Sequence, residues 1–107
     1  MRYTVTWDHL VIGQIAEEWS RTADQAGFTS GVDDLEDRLR RVPDRTGFPA
    51  EEANPPPRAI LDVVLRMNRR PGDIRVASVG RFRFIFSVYE DDRTVVVWTM
   101  YEWFDEL

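Results

Sequence analysis

Apolar and polar residues alternate over RYTVTW at residues 2 to 7, with Tyr3, Val5 and Trp7 set against Arg2, Thr4 and Thr6. A period of two puts successive side chains on opposite faces, so the stretch predicts a first strand with one face buried. The period then changes. Ile12, Ile15, Ala16 and Trp19 fall at i, i+3, i+4 and i+7, which predicts a helix with these residues as its core stripe. Asp8 stands where a side-chain oxygen can cap the free N–H groups of the first turn. Gly13 weakens the helix slightly and points to close packing at that position. The segment TADQAG ends it.

A second helix is predicted from about Thr29 or Ser30 to just before Pro43, with Val32, Leu35, Leu39 and Val42 as its apolar stripe. Asp33, Asp34, Glu36 and Asp37 come first, and Arg38, Arg40 and Arg41 follow. That order suits the helix dipole. It also sets up Asp34–Arg38, Glu36–Arg40 and Asp37–Arg41 as i, i+4 pairs on a solvated face. The two helices form an αα-hairpin.

Residues 43 to 57, PDRTGFPAEEANPPP, read as a long loop, because three prolines in a row favour an extended chain. In RAILDVVLRMNRRPGD, Ile60, Val63, Val64 and Met67 have helical spacing. A short helix is the preferred reading there and a valine-rich strand the alternative. Three strands close the chain: DIRVASV, RFRFIFSVYE and RTVVVWTMYEWF, with Gly80 and the Glu90–Arg93 turn between them. In the middle strand Phe82, Phe84, Phe86 and Val88 point one way and read as core. Arg81, Arg83, Ile85, Ser87 and Tyr89 point the other.

The fold class is therefore α+β: an N-terminal strand, an αα-hairpin, an irregular Pro-rich connection with a short third helix, then a three-stranded antiparallel meander. The helices are expected on one face of a small twisted sheet. At 107 residues, one domain over 1–107 is expected.

Composition changes this picture in three places. There is no cysteine, which excludes disulfides and thiolate metal sites. MRYTVTWD lacks the charged-then-apolar pattern of a secretory leader, and no apolar run approaches a membrane span, so a cytoplasmic protein with no membrane partner is expected. Charge is uneven. Residues 1–57 hold 6 Arg and 11 acids, residues 58–83 hold 7 Arg and 2 acids, and residues 84–107 hold 1 Arg and 6 acids. A basic segment at +5 thus lies between two at −5, although the whole chain is at −5. All 14 cationic residues are arginine, which codon usage explains more simply than phosphate binding.

The order of elements, the run of RYTVTWD into an αα-hairpin and the segment IRVASVGRFRFIFSVYEDDRTVVVW together resemble the RelE/ParE superfamily of type II toxin–antitoxin toxins. The resemblance covers residues 1 to 45 and 73 to 101. It implies a cognate antitoxin partner that wraps the sheet and helices, and growth inhibition either by mRNA cleavage on the ribosome or by inhibition of gyrase. In the nuclease branch, arginines hold the scissile phosphate and an acid–base group assists the ribose 2′-hydroxyl. Guanidinium groups suit the negative charge that develops on the phosphoryl group. Carried over by position, Arg83 matches the family's phosphate-binding arginine and Arg75 a basic position on the preceding strand.

Arg81, Arg69 and Arg70 are further candidates for phosphate or RNA binding, and Tyr101 is the candidate acid–base group. The nuclease branch follows its last strand with a basic or His/Arg pair. Here VVVWTMYEWFDEL has no histidine or arginine after Arg93, and Tyr101 is the phenol available. Trp98, Trp103 and Phe104 either fold back on the core or mark a partner surface. Homodimerisation is open. His9 is read as a solvent-facing helix start, and no cofactor or metal is expected. The alternative function is a catalytically degenerate family member that acts as a protein–protein interaction module.

Overall fold

The computed structural model describes residues 2–50, 56–68 and 73–103. In chain order these form β1 (Thr4–Trp7), α1 (His9–Arg21), α2 (Gln25–Arg41), a 3-10 turn (Pro43–Arg45), β2 (Phe48–Pro49), α3 (Arg58–Met67), β3 (Asp73–Val79), β4 (Phe82–Tyr89) and β5 (Thr94–Glu102). The sheet runs β1-β5-β4-β3-β2. β1 lies parallel to β5, and the other neighbours are antiparallel. The α+β fold class expected from the pattern is the one observed.

The helix caps follow local chemistry. The Asp8 carboxylate accepts from the Leu10 N–H at 3.0 Å and starts α1. α2 begins earlier than Thr29, at Gln25, because the Asp24 carboxylate accepts from the Gly27 N–H at 2.9 Å. TADQAG is therefore a cap and a first turn, not a linker, and the buried Phe28 on that turn anchors it. Glu36–Arg40 and Asp37–Arg41 form at 3.3 Å and 2.5 Å, whereas Asp34 makes no ion pair among the described residues.

The expected core stripe of α1 is corrected. Val11 and Glu18 are buried and Ile15 is partly buried, while Ile12 and Trp19 are 49% and 46% exposed. The helix is rotated by roughly one residue, or ~100°, from the face with the most apolar residues. Gly13 has open space around it, so it marks no close packing.

Two cores sandwich the sheet. On one face, α1 and α2 cover Phe82, Phe84, Phe86, Val88, Val95, Val97 and Met100. On the other, Val64 of α3 packs with Ala50, Val76, Ile85 and Tyr101, and Phe48, Trp98 and Trp103 add to this second cluster. The hairpin sits on one face as expected, and α3, a helix as preferred, takes the opposite one. Ile85, Ser87 and Tyr89 are consequently buried too.

The 43–57 loop also has structure. Phe48 and Pro49 pair with Val76 and Arg75 as a short edge strand. Gly47 makes this approach possible: its φ is +65°, and a Cβ there would lie 1.9 Å from the Val76 carbonyl oxygen.

One irregularity decides which face the end of β5 presents. The β4–β5 register shifts between Ile85↔Thr99 and Phe86↔Val97, which leaves Trp98 as an extra residue on β5. In unbroken alternation Val95, Val97 and Tyr101 would share a face. With the bulge, Met100 joins the α1–α2 core and Tyr101 joins the opposite one.

Candidate functional site

Arg83 and Tyr101 are direct cross-strand partners on the α3 side of the sheet. The Arg83 guanidinium carbon lies 4.0 Å from the centre of the Trp103 ring and 5.0 Å from that of Phe48. It is thus held between an aromatic ring from β2 and one from the end of β5, in a geometry that gains cation–π energy as the arginine loses water. Arg83 is half-buried, and its Nε is closed to solvent.

The Tyr101 hydroxyl is buried with the Arg83 guanidinium as its polar neighbour. Burial pushes the phenol above its ordinary value, and the guanidinium works in the opposite direction. Tyr101 therefore stays a neutral phenol at neutral pH. It can donate a proton or a hydrogen bond, but it is poorly matched to act as a base there.

The other predicted cations are deployed elsewhere. Arg81 stands in the β3–β4 turn and reaches the opposite side of the sheet. There its guanidinium meets Glu102 at 3.1 Å and Glu18 of α1 at 3.6 Å. Arg81 and Arg83 thus do not form one cationic patch. Arg75 is buried. Its Nε donates to the Thr46 carbonyl at 3.1 Å, its Nη2 to the Gly47 carbonyl at 3.2 Å, and its Nη1 faces Asp73 at 3.5 Å. It clamps the segment that carries Phe48. Arg69, Arg70 and Phe104 lie outside the described residues. Trp98 is partly buried and donates from its indole N–H to the Ser87 hydroxyl at 2.9 Å.

Among the described residues of the C-terminal aromatic group, Trp103 is the one that touches a candidate cation. Its backbone N–H donates to the Arg81 carbonyl at 2.7 Å, which extends the ladder past β5 and sets the ring over Arg83. Two contributors escaped the sequence reading. Phe48 lies in a segment read as loop, and its one signal was an aromatic between Gly47 and Pro49. Glu18 fell outside the predicted stripe of Ile12, Ile15, Ala16 and Trp19. It lies seven residues after Val11 and so on the true buried face, where it bonds Arg21 at 3.2 Å as well as Arg81. Among the described residues no group of three His, Asp or Glu side chains converges as a cation site, and no helix is long and apolar enough to cross a membrane.

No family model matches this sequence, and no curated protein matches it. Solved structures do. A chain of the archaeal RelE–RelB complex from Pyrococcus horikoshii OT3 superposes with a TM-score of 0.64 at 17% identity, covering 95% of this chain and 96% of that one. A chain of the chromosomal ParDE TA system from P. aeruginosa gives 0.55 at 11% identity, covering 95% and 97%. At such identities the likeness speaks to the fold, and it spans nearly all of both chains. It joins two halves that the sequence alone left apart, since residues 46 to 72 carried no resemblance of their own. The chain shares the fold of these two chains over nearly its whole length.

Proposed function

We propose that this protein is the toxin component of a two-protein toxin–antitoxin pair, with a cognate antitoxin as its partner. The observation that carries the reading is the end-to-end match with chains from a RelE–RelB complex and a ParDE TA system. Within that reading Arg83 is the residue on which target contact depends. Among the described residues of the basic segment, it is the cation held between two rings without being fully buried.

Two mechanisms of growth inhibition follow, and the site chemistry separates them. For RNA cleavage, Arg83 stabilises charge on the scissile phosphoryl group, and because the Tyr101 hydroxyl is buried the acid for the leaving oxygen must come from the target. So must a base for the 2′-hydroxyl. For gyrase inhibition, Arg83 and the flanking rings act as a binding surface and no proton transfer is required. The non-catalytic reading also has a specific observation behind it: Arg75 and Arg81 are both engaged within the protein.

The test is expression in a bacterial host without the neighbouring gene. Growth arrest is expected, and Arg83→Ala should relieve it. Cleavage ends mapped on cellular mRNA would then assign the nuclease mechanism, and blocked supercoiling by purified gyrase the other. Harmless expression, with no antitoxin-like reading frame beside the gene, overturns the toxin reading.

A further inference from the structure

The two helical layers hold the sheet unequally. α1 and α2 are each capped by an aspartate, and they bury Val11, Phe28, Leu35 and Leu39 on their face. α3 covers the other face with less. It is ten residues long, it starts at Pro57 with no side-chain cap, and it buries one residue completely, Val64. Ile60, Val63 and Met67 are partly buried, and Leu65 is 48% exposed. The Arg58–Asp62 ion pair at 3.0 Å is internal to the helix. At its C-terminal end α3 has a polar tie to the sheet. The buried Tyr89 hydroxyl donates to the Asn68 side-chain oxygen, and the Asn68 N–H donates to the Val64 carbonyl at 2.8 Å. A helix of this length is marginal by itself, so its docking decides whether it stays formed.

Beneath it lies the candidate site. Val64 and Ile60 belong to the apolar cluster that contains Tyr101, and Arg83 is the cross-strand neighbour of Tyr101 on that face. The Tyr101 hydroxyl and the Arg83 Nε are both closed to solvent. A guanidinium grips an oxyanion best through two parallel N–H groups, and the edge that includes Nε is covered in this closed form. Local opening draws on the elements with the least burial and the weakest caps, which here means α3 before any strand of the meander. We propose that α3 is a lid on the Arg83–Tyr101 pair. It lifts while the sheet stays folded, Tyr89–Asn68 is its latch, and the open form is the one that presents the whole Arg83 edge to a target. The movement is independent of the toxin reading, whereas the role of the open form as the target-binding state rests on it.

Hydrogen exchange of the full chain, followed by NMR through a series of sub-denaturing guanidinium concentrations, tests the lid. The α3 amides from Leu61 to Asn68 should exchange at least about tenfold faster than that of Ile85 in β4, and with a weaker denaturant dependence, because lifting one helix exposes less surface than unfolding. The Arg83 Nε–H should follow the denaturant dependence of α3 and not that of β4. Tyr89→Phe should speed exchange of α3 and of the Arg83 Nε–H by about two- to tenfold, the worth of one hydrogen bond. Phe84→Leu, in the opposite core, should speed β4 and leave α3 unchanged. If α3 and β4 speed up together in Phe84→Leu, the helix leaves only on global unfolding and the lid is overturned. An Arg83 Nε–H that keeps the β4 pattern would overturn it too, since the helix would then move without uncovering the site. In the growth test Tyr89→Phe should deepen the arrest that Arg83→Ala relieves. An unchanged arrest, with α3 exchange raised, would overturn the gating role. No arrest from the wild-type chain would sink the toxin reading and leave the exchange results to decide the lid.

Discussion

The α1–α2 face and the α3 face of the sheet bury similar lengths of strand with different chemistry. On the first, three phenylalanines of β4 meet aliphatic residues of β5 and two helices, and Trp7 and Phe28 stack edge-on against Phe84 and Phe82 at 6.1 Å and 5.8 Å. Its stability comes from apolar area and close packing. Arg75, the register partner of Phe86, lies at the β2 edge of that first face, while the α3 face buries Ser87 and Tyr101 among its apolar residues and half-buries Arg83. There each polar group requires a partner, and stability is given up where a group is held for something other than packing. A fold that hosts function on a sheet can specialise its faces in this way, with one holding the strands in register and the other presenting side chains.

The largest effect that would test this contrast is Phe84→Ala. Phe84 is fully buried at the centre of the first core, so a loss of about 3–5 kcal/mol is expected in denaturant unfolding. A loss below about 1 kcal/mol would mean that this face is not the stability centre.

Arg75→Ala is intermediate. It removes two charge-assisted bonds to the Thr46 and Gly47 carbonyls, and a cost of about 1.5–3 kcal/mol is expected. Amide exchange should rise in β2 before it rises in β4. If protection of Phe48 is unchanged, Arg75 is not the clamp that positions this edge.

The smallest effect is Tyr101→Phe, which should change stability at pH 7 by less than about 1 kcal/mol. Its signature is alkaline. In the unfolded chain the phenol titrates near 10.0, and in the folded protein burial raises it. The folded state thus binds the proton more tightly. Stability is intact below pH 10.0 and falls as pH climbs from there through the folded value. Tyr101→Phe should flatten that fall in part. It should not do so entirely, because Tyr3, donating to Glu90, is shifted in the same direction. Matching alkaline profiles for wild type and variant would show that the Tyr101 hydroxyl is not buried.

Much of this architecture was written locally. The strand pattern of Tyr3, Val5 and Trp7, the Asp8 cap and the alternating phenylalanines of β4 each follow from a few neighbouring residues, because period and capping are short-range physics. Where two local answers competed, the pattern misled. α1 offers one stripe through Ile12 and Trp19 and another through Val11 and Glu18. The richer stripe is exposed, and Glu18 on the buried face is accommodated by ion pairs with Arg21 and Arg81. A salt bridge across dozens of residues has no signature in a window of twenty.

The candidate site divides in the same way. The sequence by itself determined that arginines cluster at residues 58–83 and that Arg83 and Tyr101 lie on adjacent strands of a meander. Only the tertiary structure decided what each does. It put Arg81 on the α1 side with Glu18 and Glu102, spent Arg75 on loop carbonyls, and brought Phe48 from a distant edge to the Arg83 guanidinium. A single extra residue at Trp98 turned Tyr101 toward that guanidinium. The physical reason is that side-chain alternation is set residue by residue, whereas the register that gives it a face is set by pairing between strands, where one bulge reverses every position beyond it.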